Sequence, residues 1–455
     1  MKKLKHILLN LKVFMIAFFI CNLFSMCLFT KRIYSTCIPV LILWGSLLCV
    51  YYYVIKRRKK DFLFYVASAV CINYFIIILF FSSSYMQDIA QLLCVMVYLF
   101  ILFGAFSDLE RKDRTDIIMS NCYIMFYFNI VVSLGSAIIM FSKYVGEIVI
   151  EGDTYLLGLI PRSSGCQLRG IGGSPTSFSV LEWLSIVVSI YIFKRSKSKL
   201  NKVIVVIADI VSWICLVGAN SNYFVLMFGV FGIMLFICNL INKKWKNCLV
   251  VIIGMFSVFI LYQGTLKGID YTVNNVDISQ ILDKIQMEDD SASPYTENQD
   301  VVDSEEKGDV KVERSISSST LSVRMSIWKE ALKILKEHPF GVAKSNATVE
   351  IYYGRPNYKY TNLHNGYLTI LVSSGIQGFA LIILFGVWLF IKVIKCLVKN
   401  NNTNIRLIVS LCVAILAGEM VNGCFLFDRG LTYASLWPLL GYLYSECKLS
   451  DNVMQ

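Results

Sequence analysis

Charge is scarce in this chain: 16% of its 455 residues are Asp, Glu, Lys or Arg, against 56% hydrophobic ones. That ratio excludes a soluble globular domain. Histidine is scarcer still, with three in all. No P-loop, D-x-D, HExxH or paired CxxC occurs, and the nearest acidic pair, Glu151-Gly-Asp153, stands alone. The expected chemistry therefore uses neither ATP, a divalent metal nor another cofactor. The net charge of +12 does not imply nucleic acid, because the basic residues sit in short clusters between apolar runs, as they do beside membrane spans. Fifteen cysteines are present, but most lie inside apolar runs (Cys21, Cys27, Cys49, Cys71, Cys94, Cys215, Cys238), where cysteine behaves as a small hydrophobe. Cys166 alone is placed in an outward loop, so no intramolecular disulfide is expected there. The opening MKKLKH and its apolar run have the charge order of a signal peptide without a small-x-small cleavage site, and read as an uncleaved first span.

What the chain has in abundance is apolar runs of bilayer length. They fall near 12–30, 33–55, 62–81, 86–107, 116–141, 175–193, 203–219, 221–241, 247–264, 366–391, 405–426 and 430–446. The expected fold is an all-α polytopic membrane protein of about twelve transmembrane helices. Alternate connectors are basic, with about 25 Lys and Arg on one side against about 6 in the short connectors of the other, which sets both termini in the cytoplasm. The pair 203–219 and 221–241, joined by Gly218-Ala-Asn-Ser-Asn222, reads as a tight outward hairpin, because the charge alternation needs an even number of crossings there. The expected organisation is a bundle of about nine spans over 1–264, a large extracytoplasmic loop over 265–365, and three further spans with a cytoplasmic tail over 366–455.

Two outward loops can hold a site, 142–174 and 265–365. In the second, 287–313 is acidic and poor in large apolar groups, so it is expected to be mobile. The ordered half is 314–365. There Leu321, Met325, Trp328, Leu332 and Leu335 recur at steps of four and three, which predicts a helix with one apolar face and Arg324 at its border. His338-Pro339 ends it. The outward loops also carry Arg162, Arg169, Arg314 and Arg355, whose guanidinium forks match phosphate oxygens. Gly170, Gly172 and Gly173 follow Arg169 and form either a ligand approach or simply a turn. His364 lies where the loop meets the next span, at headgroup depth. Its ordinary pKa near 6.5 suits proton abstraction at neutral pH, although a lone interfacial histidine is more often an anchor. Tyr352, Tyr353, Tyr358, Tyr360 and Tyr367 suit sugar stacking or an interfacial belt equally. Within the spans, Glu182, Asp209 and Glu419 are costly and hence candidates by default.

The order of these features resembles the O-antigen ligase and O-antigen polymerase superfamily, bacterial membrane glycosyltransferases that use polyprenyl-diphosphate-linked sugars. The resemblance rests on Arg324-Met-Ser-Ile-Trp328, on His338-Pro339-Phe340-Gly341, on His364-Asn365-Gly-Tyr-Leu followed by Ser374-Gly375-Ile376, and on Arg169-Gly170 ahead of Ser174-Pro175. It spans roughly 160–445 and is most specific across 324–376. A Ser-Arg pair often found in the family is Ser221-Asn222 here, so Arg162, Arg314 or Arg355 substitutes, or the substrate is held differently. The resemblance implies metal-independent, inverting transfer of a glycan from polyprenyl diphosphate at the outer face of the bacterial cytoplasmic membrane. His364 and Arg324 would be catalytic. Arg169, Arg314, Arg355, Trp328 and Asn365 would bind the diphosphate and glycan. The leading expectation is a polymerase of O-antigen or capsular repeat units, partnered by a flippase and a chain-length regulator. A ligase moving finished glycan to lipid A core or another acceptor is the alternative. A secondary transporter or flippase using Glu182 and Glu419 is the reading from a different class, and it predicts two similar halves, which the sequence does not show.

Overall fold

A computed structural model describes residues 8–58, 60–142, 144–150, 153–162, 165–274, 318–351, 358–360, 363–399, 402–421 and 423–452. Helices fill the apolar runs. They are α1 (Leu11–Phe24), α2 (Lys31–Val50, extended as a π-helix over Tyr51–Ile55), α3 (Phe62–Phe81), α4 (Tyr85–Met96, extended as a π-helix over Val97–Ala105) and α5 (Arg111–Phe141). Then follow α6 (Pro175–Arg195), α7 (Lys199–Gly218), α8 (Asn222–Ile241), α9 (Trp245–Asn274), α10 (Ser318–Glu337), α11 (Gly366–Lys399), α12 (Thr403–Gly418) and α13 (Leu431–Asn452). Among the described residues, nine helices are long and apolar enough to cross a membrane, and α1 and α12 are shorter apolar ones. With α13 they occupy the twelve expected places. The chain is a multi-pass membrane protein.

Polar residues just before the apolar runs start several of these helices. Asp61 accepts from the Phe64 amide (3.0 Å), and Ser174 from the Ser177 amide (3.2 Å) with Pro175 in the first turn. Such side chains satisfy amides that the helix leaves unpaired, and proline is tolerated where no amide is needed. The junction at 219–221 does separate two helices, but they pack in different directions. α7 lies against α5 and α6, whereas α8 lies against α12 and α9. α9 runs ten residues beyond the expected end at 264.

The 142–174 loop is not helical. It is an antiparallel sheet of β1 (Gly146–Ile150), β2 (Asp153–Arg162) and β3 (Gly165–Arg169), in which Gly158 stands opposite Arg169. Gly158 has φ +116°, and a Cβ there would overlap the Tyr144 carbonyl, so only glycine suits the position. The Leu28 amide donates to the Ile171 carbonyl at 2.8 Å, and Lys31 contacts Tyr155. These bonds tie the sheet to the α1–α2 junction. A second ribbon pairs β4 (Val349–Ile351) with β5 (Tyr358–Tyr360). The sheets and α10 gather at one end of the bundle, the loop-bearing end.

Candidate functional site

Helix α10 packs on a stripe that shares Trp328 and Leu335 with the one its periodicity predicts but is shifted to one side of it. Ile327 and Ala331 are fully buried, with Trp328, Ile334 and Leu335 packed beside them, while Met325 (45%) and Leu332 (51%) are exposed. The buried partners are Val342, Ala347, Val349, Leu363 and Val372. A surface this close-set accepts the small Ala331 and excludes the bulkier neighbouring stripe. On this stripe Arg324 is half-buried, in line with Ile327, Trp328 and Ala331. Burial pulls its guanidinium below the usual arginine range. Among the described residues no carboxylate pairs with it.

One turn further on, Trp328 Nε1 donates to the Leu363 carbonyl at 3.0 Å. This bond sets the Arg324 face of α10 against the residue before His364. His364 has φ +49°, a conformation uncommon outside glycine. Asn365 Oδ1 accepts from the Leu368 amide at 3.1 Å and so caps α11. The Gly366 amide donates to the Glu419 carbonyl at 2.7 Å.

The His338-Pro339-Phe340-Gly341 turn is fitted into a break in α11. Gly375 has φ +70° and ψ 177°, which interrupts the helix. There the Val372 and Ser373 carbonyls accept from the Val342 and Ala343 amides (3.1 Å each), and Ser374 from Asn73 Nδ2 (3.0 Å). The Ile376 amide, freed from Val372, donates to the Pro339 carbonyl at 3.0 Å. A Cβ on Gly341 would lie 2.6 Å from the Gly375 nitrogen, and one on Gly375 would overlap the Phe340 carbonyl. Irregular backbone inside a span survives only where protein satisfies it, and this turn does so.

Arg169 ends β3, held by bonds on both sides. Gln167 Nε2 donates to the Ala219 carbonyl (3.2 Å), and the Ile171 amide to Ser136 Oγ (3.1 Å). A Cβ on Gly170 would overlap Ser136, so the strand approaches α5 through a glycine. Arg169 thus stands beside the entrance to α8, whose Tyr223 donates to Glu419 Oε1 at 3.4 Å. The sheet is bonded to the α7–α8 junction at Ala219, α8 reaches Glu419, and the Glu419 carbonyl accepts from Gly366. Arg314 and Arg355 lie outside the described residues, as do Tyr352, Tyr353 and the acidic stretch 287–313. Arg162 ends β2, and its side chain lies outside the description.

Two features escaped the sequence reading. Asp88, fully buried near the start of α4, accepts from the Ser345 amide (3.0 Å), Ser345 Oγ (2.5 Å), Ser82 Oγ (2.6 Å) and Tyr74 (3.3 Å). It pins the turn that follows Gly341, and a carboxylate beside Ser82-Ser83-Ser84 inside an apolar run was its available signal. The last connector also carries Asp428, whose carboxyl is pushed up by burial, with Lys344 and Arg429 pulling the other way. Glu182 and Glu419 have separate partners. Glu182 is met by Asn129 (2.9 Å) and Ser133 (2.8 Å) between α5 and α6, and Asp209 is met by Ser189 (2.7 Å).

Residues 207–383 match a family model described as O-Antigen ligase. No curated protein matches the chain. The matched stretch takes in Arg324, Trp328, His364 and Asn365 and leaves out Arg169.

Proposed function

We propose, from the match of residues 207–383 to an O-antigen ligase family model, a polymerase that joins polyprenyl-diphosphate-linked oligosaccharide repeat units into O-antigen or capsular polysaccharide. In this reading the loop-bearing end faces outward from the bacterial cytoplasmic membrane, and both termini are cytoplasmic. The acceptor hydroxyl oxygen forms a bond to the anomeric carbon of the donor sugar with inversion, the bond from that carbon to the diphosphate breaks, and His364 takes the hydroxyl proton. Polyprenyl diphosphate leaves. Arg324 and Arg169, with Arg314 and Arg355, offset the charge that grows on the diphosphate. Trp328 and Asn365 shape the glycan side of the site.

The observation that carries this reading is the Trp328–Leu363 bond. It holds the helix that carries the half-buried Arg324 against the turn that carries His364. Arg324→Ala and His364→Ala are each expected to abolish long-chain glycan, read on gels, while the protein still accumulates in the membrane. Wild-type chain lengths in both would remove the assignment.

The match to an O-antigen ligase family model favours a second reading, transfer of finished glycan to lipid A core or another acceptor. Loss of a polymerase leaves single repeats on the acceptor. Loss of a ligase leaves long chains on the lipid carrier.

A further inference from the structure

We infer that Glu419 is the positioning residue for the His364 turn, an assignment that rests on the reading of His364 as the base. Glu419 follows the last residue of α12 and is 1% exposed. Its main-chain oxygen accepts from Gly366, two residues after His364. Its carboxylate accepts from Tyr433 of α13 at 3.1 Å and from Tyr223 of α8 at 3.4 Å, and the Tyr433 oxygen in turn accepts from the Cys424 amide at 3.1 Å. Four helices therefore meet on one residue, α11 at its main-chain oxygen and α8 and α13 at its carboxylate.

Three glycines make the approach possible. A Cβ on Gly366 would lie 2.5 Å from the Gly423 carbonyl, one on Gly418 would lie 2.7 Å from the Tyr223 hydroxyl, and one on Gly423 would overlap the Tyr433 hydroxyl. The node has no room to slide.

His364 needs such a clamp because its left-handed backbone is disfavoured for a residue with a Cβ. Trp328 holds the residue before it and Glu419 holds the second residue after it. The contact to Gly366 uses the backbone, so any residue at 419 could make it. The carboxylate is what fixes that backbone, by binding hydroxyls from two other helices. Removing it leaves two buried tyrosine hydroxyls short of an acceptor, and the turn drifts. Glutamine keeps an accepting oxygen for Tyr433 and offers an amide to Tyr223.

The test uses the full-length purified protein and diethyl pyrocarbonate, with modification of each histidine read by mass spectrometry. His338 lies in the same ordered loop half but on the Gly375 side of it, and serves as an internal control. In Glu419→Ala and Tyr433→Phe the His364 rate is expected to change several-fold with His338 unchanged, and Glu419→Gln restores the wild-type rate. Turnover falls by about 100-fold at nearly constant donor KM, as for a misplaced catalytic group. Unchanged His364 labelling, or parallel change at both histidines, overturns the assignment. Should His364→Ala still make long chains, the base reading fails while the labelling result stands, so the two failures are distinguishable.

Discussion

The two ends of the helix bundle handle charge in opposite ways. At the end away from the loops, charge meets charge. Arg58 pairs with Asp108, Lys448 lies 3.1 Å from Asp108 and 3.4 Å from Asp61, and Arg111 and Arg114 lie 3.3 and 3.6 Å from Glu446. Several of these side chains are more than a third exposed, whereas Arg114 and Glu446 form a buried pair. At the loop-bearing end, Asp88 and Glu419 are buried and met by hydroxyls and amides instead of cations. Arg324 is left with no carboxylate among the described residues. Ion pairs near solvent secure helix ends at little energetic gain. Buried carboxylates held by neutral donors fix geometry and leave a guanidinium's charge available to an anion.

Four substitutions probe that contrast, and the first acts on the chemistry most strongly. Arg324→Ala should lower product formation by about 100- to 1,000-fold, the scale for removing a group that stabilises transition-state charge. Melting temperature in detergent should barely move, and a parallel fall would make Arg324 a packing residue. Gly375→Ala comes next. Its φ of +70° and the contact with the Phe340 carbonyl predict a cost of about 1–2 kcal/mol for conformation alone, before the clash. Thermal unfolding and membrane accumulation check it, and a fully stable variant would mean the break is not needed.

Asp88→Ala leaves the Ser345 amide without its acceptor, for which about 1–3 kcal/mol is expected. Proteolysis of the 318–351 segment should accelerate, while an unchanged rate would free the turn from this anchor. The smallest effect belongs to the opposite end. Asp108→Asn should cost about 1 kcal/mol or less and leave glycan length untouched. Burial raises the Asp108 carboxyl, but Arg58 and Lys448 outweigh it, so its pKa is lowered overall. A lowered folded value makes its contribution present above the unfolded value of about 3.9 and lost only as pH falls through the folded one. Stability curves of wild type and variant should therefore differ by a constant amount from pH 5 to 8. A difference that grows with pH in that range would contradict the pairing.

Much of the scaffold was legible before any coordinates. Apolar runs located the twelve helical segments, because a helix crossing hydrocarbon needs about twenty apolar residues and local composition reports that directly. The motif order from Arg324 to Ser374 named the residues from which the candidate site is built. Periodicity found Trp328 and Leu335 of the packed face of α10 but placed Met325 and Leu332 there in place of Ile327 and Ala331, because two apolar stripes overlap and only the partner surface chooses between them. The 146–169 sheet was missed because TYLLGLIP carries no strict alternation of apolar and polar residues. The break at Gly375 was hidden inside a run that reads as one continuous span.

The sequence by itself determined how many times the chain can cross a membrane, where its polar loops fall and which residues could carry the chemistry, since each of these depends on neighbours close along the chain. Tertiary structure alone decided that Ser345 meets Asp88, 257 residues away, that Tyr223 meets Glu419, 196 residues away, and that Arg324 is half-buried. Those outcomes depend on which buried donor reaches which buried acceptor once the helices have packed, and no local pattern encodes that distance.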